Sequence, residues 1–233
     1  MPKAVLRNFC AKKTSLYYAA KENWDGVVEL RNINSVFRRR HYNSFVLDTG
    51  EKNDVLERFF GEELDNYIPR WTQIFTDAIQ TSRIQFATDE DRERFVFFFY
   101  YHTKRTPDFM EPLVQKVAQE TFSDAGINDL EGRFRKLTTE ERQKINSLTY
   151  QTSVLGQTRV ENMSSYSEAI LERLRRMKII CATPRQKNKQ FIVSSNPVLR
   201  FEDHVYQELG TPGVEMWTTL APRIAVGFVT AKC

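Results

Sequence analysis

Eight consecutive residues, Phe95 to His102, read FVFFFYYH, and any fold for this chain has to be built around them. At helical spacing such a run is apolar on nearly every side, so the helix that carries it belongs at the centre of the molecule. Its start is marked locally. Thr88 is a good N-cap, and Asp89, Glu90 and Asp91 follow in the first turn, where the helix dipole favours negative charge. Pro107 ends the helix after Thr106.

Elements on either side follow from the same rules. Leu56, Phe59, Phe60, Leu64, Tyr67, Ile68, Trp71, Ile74, Phe75 and Ile79 recur at helical spacing from about Asn53, with Pro69 expected to kink or split the run. A further helix is expected over 108–122. Thr138 with Glu141, and Ser165 with Glu168, fit the capping box and predict helices over 139–156 and 166–178. TSLYYAA (14–20) and GVVELRNI (26–33) read as a hairpin turning at Asn23 to Gly26. After Lys178 the runs IICAT, QFIVS, VLRF and IAVGFV read as a small antiparallel sheet. The fold class is α+β: an N-terminal β region over 1–45, a helical body over 46–178 and a C-terminal β unit over 179–233. No Gly/Ser/Pro-rich linker divides the 233 residues, so one domain is expected.

With 41% hydrophobic residues and 17 Phe, the chain has ample mass for a core. No run reaches the roughly 20 apolar residues of a membrane helix, and MPKAVLRNFCAKK is no signal peptide, so a cytoplasmic location without membrane association is expected. Cys10, Cys181 and Cys233 are odd in number and far apart, as are His41, His102 and His204, so neither a disulfide framework nor a metal site is expected. Glu62, Glu63 and Asp65 could hold a divalent cation, but a charge run on a helix is more often a solvated face. No glycine-rich phosphate loop or dinucleotide fingerprint is present, and no cofactor is expected.

The net charge of +4 hides a division. Residues 1–40 and 132–200 are basic, and 41–131 are acidic. Arg38, Arg39 and Arg40 in the first basic segment, and Arg173, Arg175, Arg176 and Lys178 in the second, could meet a nucleic acid or simply neutralise the acidic middle.

Four short motifs stand in order along the chain: Leu6-Arg7-Asn8-Phe9 after Pro2, His102 to Pro107 (HTKRTP), Phe191 to Val198 (FIVSSNPV), and Leu220-Ala221-Pro222-Arg223. Together they resemble the family catalogued as domain of unknown function number 4238. Its members open with His-Tyr-Val-Pro, carry Gln-x-x-Arg-Thr-Pro on a central helix, and close with Phe-Ile-x-Ser-Asp-Asn-Pro-Val before Leu-Ser-Pro. This chain departs from the pattern. Met1-Pro2 stands where Val-Pro would be, so the family's initial histidine would precede Met1. His102 replaces the motif Gln, and Ser195 replaces the motif Asp. The resemblance implies a fold and candidate positions, and no reaction.

His102 and Arg105 lie three apart and share a helix face. Buried there, they need partners. Either Arg105 clamps an anionic ligand while His102 moves a proton, or the pair is satisfied internally by Glu57, Glu62, Glu63 or Asp65. Ser194, Ser195 and Asn196 before Pro197 are ordinary turn formers, or polar groups at the edge of a site. Arg7 and Arg223 are further binding candidates, Arg223 being alternatively an edge-strand charge. The favoured reading is a non-catalytic or catalytically divergent binding protein with a protein partner. The alternative is a phosphodiesterase or nuclease acting on RNA, toxin- or defence-like, with His102 as acid or base and Arg105 stabilising developing charge.

Overall fold

A computed structural model describes residues 1–20, 27–37, 45–46, 52–203 and 207–230. In chain order the elements are α1 (Lys3–Asn8), β1 (Ser15–Tyr18), β2 (Glu29–Asn32), β3 (Phe45–Val46), β4 (Lys52–Asn53) and α2 (Val55–Phe59). A π-helical stretch (Phe60–Leu64) and a 3-10 turn (Asp65–Tyr67) lead into α3 (Ile68–Thr81) and α4 (Asp89–Lys104). Then come α5 (Pro107–Phe122), α6 (Asp124–Arg133), α7 (Thr139–Asn146), α8 (Leu148–Ser164) and α9 (Glu168–Arg176). The chain closes with β5 (Lys178–Ala182), β6 (Val198–Phe201), β7 (Glu215–Ala221) and β8 (Ile224–Val229). The fold is α+β. The chain divides into two compact units, one of Met1–Arg39, Phe60–Thr106 and Ser167–Cys233, the other of Arg40–Phe59 and Pro107–Tyr166.

In the first unit α4 is the core helix. The Thr88 hydroxyl accepts from the Asp91 amide, as an N-cap should. Phe95, Phe98 and Phe99 are wholly buried with Trp71 and Phe75 of α3 and Phe228 of β8. Their rings meet at centroid distances of 4.5 Å (Phe99 and Phe228) to 6.1 Å (Phe95 and Phe228), the spacing at which offset and edge-on aromatic pairs are favourable. Trp71 Nε1 donates to the buried Asp91 carboxylate at 3.3 Å, which also meets Arg70. The C-terminal sheet is antiparallel with order β5-β8-β7-β6, so β5 and β6 are its edges. The hairpin β1–β2 pairs Ser15 with Asn32 through Tyr18 with Glu29. Leu16, Ile33 and Val36 pack with Leu6 of α1.

The second unit holds α2, α5 to α8 and the short pair β3–β4. Glu131 of α6 organises its turns. The buried carboxylate accepts from Lys136, the Leu137 amide and Arg142, and these bonds pull its pKa down to about 2. The capping box at Thr138 and Glu141 is complete.

Several expected elements take another form. The helix expected over 139–156 is two helices, because Ser147 leaves the helical region and caps α8 through the Tyr150 amide. The capping box at Ser165 does not start α9. Ser165 bonds the Asn162 carbonyl, and the Ser167 amide donates to the Tyr100 hydroxyl, so the helix begins two residues later than expected, at Glu168. QFIVS is no strand, and the sheet takes EMWTTLA (β7) in its place. Helices α1 and α6 are additional. The 53–79 helix is broken over 60–67, just before Pro69 in the first turn of α3.

Candidate functional site

The last turn of α4 gathers the most unusual polar cluster in the first unit. His102 is 1% exposed and stacks on Phe98 at 5.0 Å. Among the described residues its Nε2 has no hydrogen-bond partner. Burial, then the charges of the Met1 α-amino group and Arg105, hold its pKa well below the ordinary histidine value, so the ring is neutral. One turn on, Arg105 donates from both terminal nitrogens to the Asp65 carboxylate at 2.8 and 3.0 Å and lies over the Phe60 ring at 4.3 Å. This is a bidentate, largely buried ion pair. The π-helical and 3-10 stretch places Phe60 and Asp65 together under Arg105. Burial and Arg105 lower the Met1 α-amino group to about 6, with Asp65 opposing. Lys104 is also buried; it sits over the Tyr100 ring at 5.4 Å, and burial lowers its pKa.

The other sequence-marked residues lie elsewhere. Asn8 donates to the Leu220 carbonyl at 2.8 Å and to Thr72 Oγ1 at 3.3 Å, tying α1 to β7 and α3, whereas Arg7 is exposed. FIVSSNPV is an irregular segment pinned at several points. The Phe191 amide donates to the Pro222 carbonyl at 2.7 Å, Thr219 Oγ1 donates to the Ile192 carbonyl, and Val193 packs on the α1 and hairpin cluster. Ser194 donates to the Asn196 carbonyl and closes a bend, Ser195 is exposed, and Pro197 and Val198 are buried. Arg223 donates to the carbonyls of Pro184, Gln186, Lys187 and Lys189 and to Thr183 Oγ1, holding the loop after β5.

Of the basic residues, Arg173 pairs with Glu208, Arg176 with Glu172, and Arg175 with both Glu93 and Glu168, which raise its pKa further. Lys178 is exposed at the start of β5. Arg38, Arg39 and Arg40, with His41, His204 and Cys233, lie outside the described residues. Among the described residues no three His, Cys, Asp or Glu side chains come together as metal ligands, and no helix is long and apolar enough to cross a membrane.

A second candidate, missed in the sequence, is the outer face of the C-terminal sheet. Strand register aligns Leu199, Trp217, Gly227 and Ile180 in one row and Phe201, Glu215, Val229 and Lys178 in another. Directly opposed residues share a sheet face. The Trp217 indole lies flat on Gly227, where a Cβ would meet the ring at 2.6 Å, and its Nε1 donates to Glu215 at 2.8 Å. Beside this fixed ring, Leu199 and Phe201 on edge strand β6 are 51% and 53% exposed. The period-2 pattern of EMWTTLA is the signal that could have found it, obscured by the two threonines.

The family model described as "Protein of unknown function (DUF4238)" matches residues 1–222. The chain belongs to this family. Neither a curated protein nor a solved structure matches it. Apart from Pro107, all four DUF4238 motif segments fall within the first unit. Two of them bond directly to a third: Asn8 and Phe191 both reach the Leu220–Pro222 stretch. In this DUF4238 chain those motifs therefore join α1, β7 and the 191–198 segment.

Proposed function

We infer that this chain is a non-catalytic binding protein whose docking surface is the outer face of the C-terminal sheet at edge strand β6, and that the occupant is an extended apolar polypeptide. The observation that carries this reading is the contrast between the two candidate sites. Three arginines suited to chemistry are engaged within the chain: Arg105 by Asp65 and Phe60, Arg175 by Glu93 and Glu168, Arg223 by loop carbonyls. Leu199 and Phe201 instead stand half exposed beside a Trp217 ring that Gly227 and Glu215 hold in place. An edge strand offers backbone pairing, and a preset aromatic ring adds apolar contact at little entropic cost.

The test uses the apolar fluorophore bis-ANS with the folded full chain and a Leu199→Ser/Phe201→Ser variant. Binding that falls at least threefold in the variant, at unchanged circular dichroism, supports the reading. Equal binding by both proteins counts against it. The alternative, a phosphodiesterase acting on RNA, draws on one observation, the unpartnered and neutral Nε2 of His102.

A further inference from the structure

We propose that the end of the C-terminal sheet carrying the β7–β8 turn binds the phosphate backbone of a nucleic acid. Arg185, Lys187 and Lys189 from one segment and Arg7, Lys12 and Lys13 from another supply the charge. This surface is additional to the β6 docking face and does not depend on it.

Topology brings the two segments together. In the order β5-β8-β7-β6, β5 ends with Ala182 opposite Ala225, and β6 begins with Val198 opposite Thr218. Residues 183–197 therefore cross the turn end of the sheet from one edge to the other, about 14 Å at the usual strand spacing. Asn8 donates to the Leu220 carbonyl at 2.8 Å, which brings the last turn of α1, with Arg7, to the same end. Val193 packs on the cluster of Leu6 and Leu16, so the start of the hairpin lies beside the crossing.

Residues 1–20 and 173–201 contain no Asp or Glu. All six cations are exposed, and among the described residues none meets a carboxylate. Other cations of the same unit are matched: Arg70 by Asp91, Arg94 by Glu90, Arg173 by Glu208. Arg223 adds a seventh positive charge from beneath. It draws in the carbonyls of Pro184, Gln186, Lys187 and Lys189 at 3.0–3.4 Å, so these oxygens are not free to repel an approaching phosphate. The make-up of the crossing selects the polyanion. Residues 185–190 read RQKNKQ, all exposed, cations alternating with carboxamides that bond phosphate and sugar oxygens. A lipid surface is held by several apolar side chains beside the charges. The crossing exposes one large apolar side chain, Ile192.

Fluorescence anisotropy of the full chain with labelled single-stranded RNA and with duplex DNA, over a salt series, tests this. At least one of the two should bind, with log K falling against log salt at a slope of about −2 or steeper, as three or more phosphate contacts require. Lys187→Glu/Lys189→Glu and Lys12→Glu/Lys13→Glu should each weaken binding at least tenfold and flatten that slope by about one. Arg173→Glu/Arg176→Glu makes the same change in net charge elsewhere and should stay within about threefold of wild type. Circular dichroism and melting confirm that each variant is folded. No binding to either nucleic acid, a control pair as damaging as the other two, or either of those two without effect overturns the proposal. Phosphatidylserine vesicles form a further arm: binding to them and to neither nucleic acid also overturns it, in favour of a lipid surface.

Discussion

His102 is a buried base held neutral, and that has a sign that can be measured. Its folded pKa lies below the ordinary value of 6.5, so the unfolded chain binds more protons than the folded one below that pH. Stability should be complete above about pH 6.5 and fall as the pH drops below it, by up to about 1.4 kcal/mol per pH unit. The Met1 α-amino group, lowered from 8.0 to about 6, contributes a loss in the same direction but starting nearer pH 8. Urea unfolding from pH 8 to 5 with His102→Leu separates the two: the slope below pH 6.5 should flatten in the variant. Asp65 answers a different question. Replacing it by Asn leaves Arg105 charged and largely buried over Phe60, which should cost about 3 kcal/mol. Urea denaturation checks this, and a loss under 1 kcal/mol would mean that the pair is solvated. Glu131 gives a lower window. With a folded pKa of about 2, its stabilisation is present above pH 4.5 and is lost as the pH falls toward 2. The melting temperature of Glu131→Gln should therefore lie below wild type at pH 7 and approach it near pH 2.

At the scale of elements, what was legible in the sequence was what local chemistry decides. Thr88 and the acidic turn behind it fix the start of α4 without help from anything distant, and Thr138 with Glu141 does the same for α7. The break at Ser147 is local, a cap onto the Tyr150 amide that the capping-box reading passed over, whereas the other misread boundaries depend on partners far along the chain. Ser167 gives its amide to Tyr100, 67 residues away, and that moves the start of α9. QFIVS has the composition of a strand, yet Phe191 and Ile192 are pinned to Pro222 and Thr219 as a loop. Arg105 and Asp65 are 40 residues apart; the sequence supplied Asp65 as one of four candidate acids, and only the break over 60–67 selects it. The β7–β8 pair gives the sharpest test at this scale. Gly227→Ala pushes a methyl into the Trp217 ring and should cost about 1–3 kcal/mol, with a change in tryptophan fluorescence. Arg223→Ala should leave the sheet intact and speed proteolysis within 183–190, because the carbonyls it gathers lose their donor.

Taken whole, the molecule places its four family motifs, apart from Pro107, in one of two compact units. The composition gave no hint of that division, since no Gly/Ser/Pro-rich stretch marks the points where the chain passes between units at 39–40, 59–60, 106–107 and 166–167. The motifs that suggested a reaction centre form joints and an internal ion pair, and the exposed apolar groups lie on the sheet edge. We propose on these grounds that the chain works by docking and not by cleaving. The most direct measurement incubates labelled single-stranded RNA with the full chain and with His102→Ala, with and without magnesium, after confirming that both are folded. The RNA should remain intact with both proteins. Cleavage by the wild type that disappears in His102→Ala would contradict it and return His102 and Arg105 to the centre of a catalytic site.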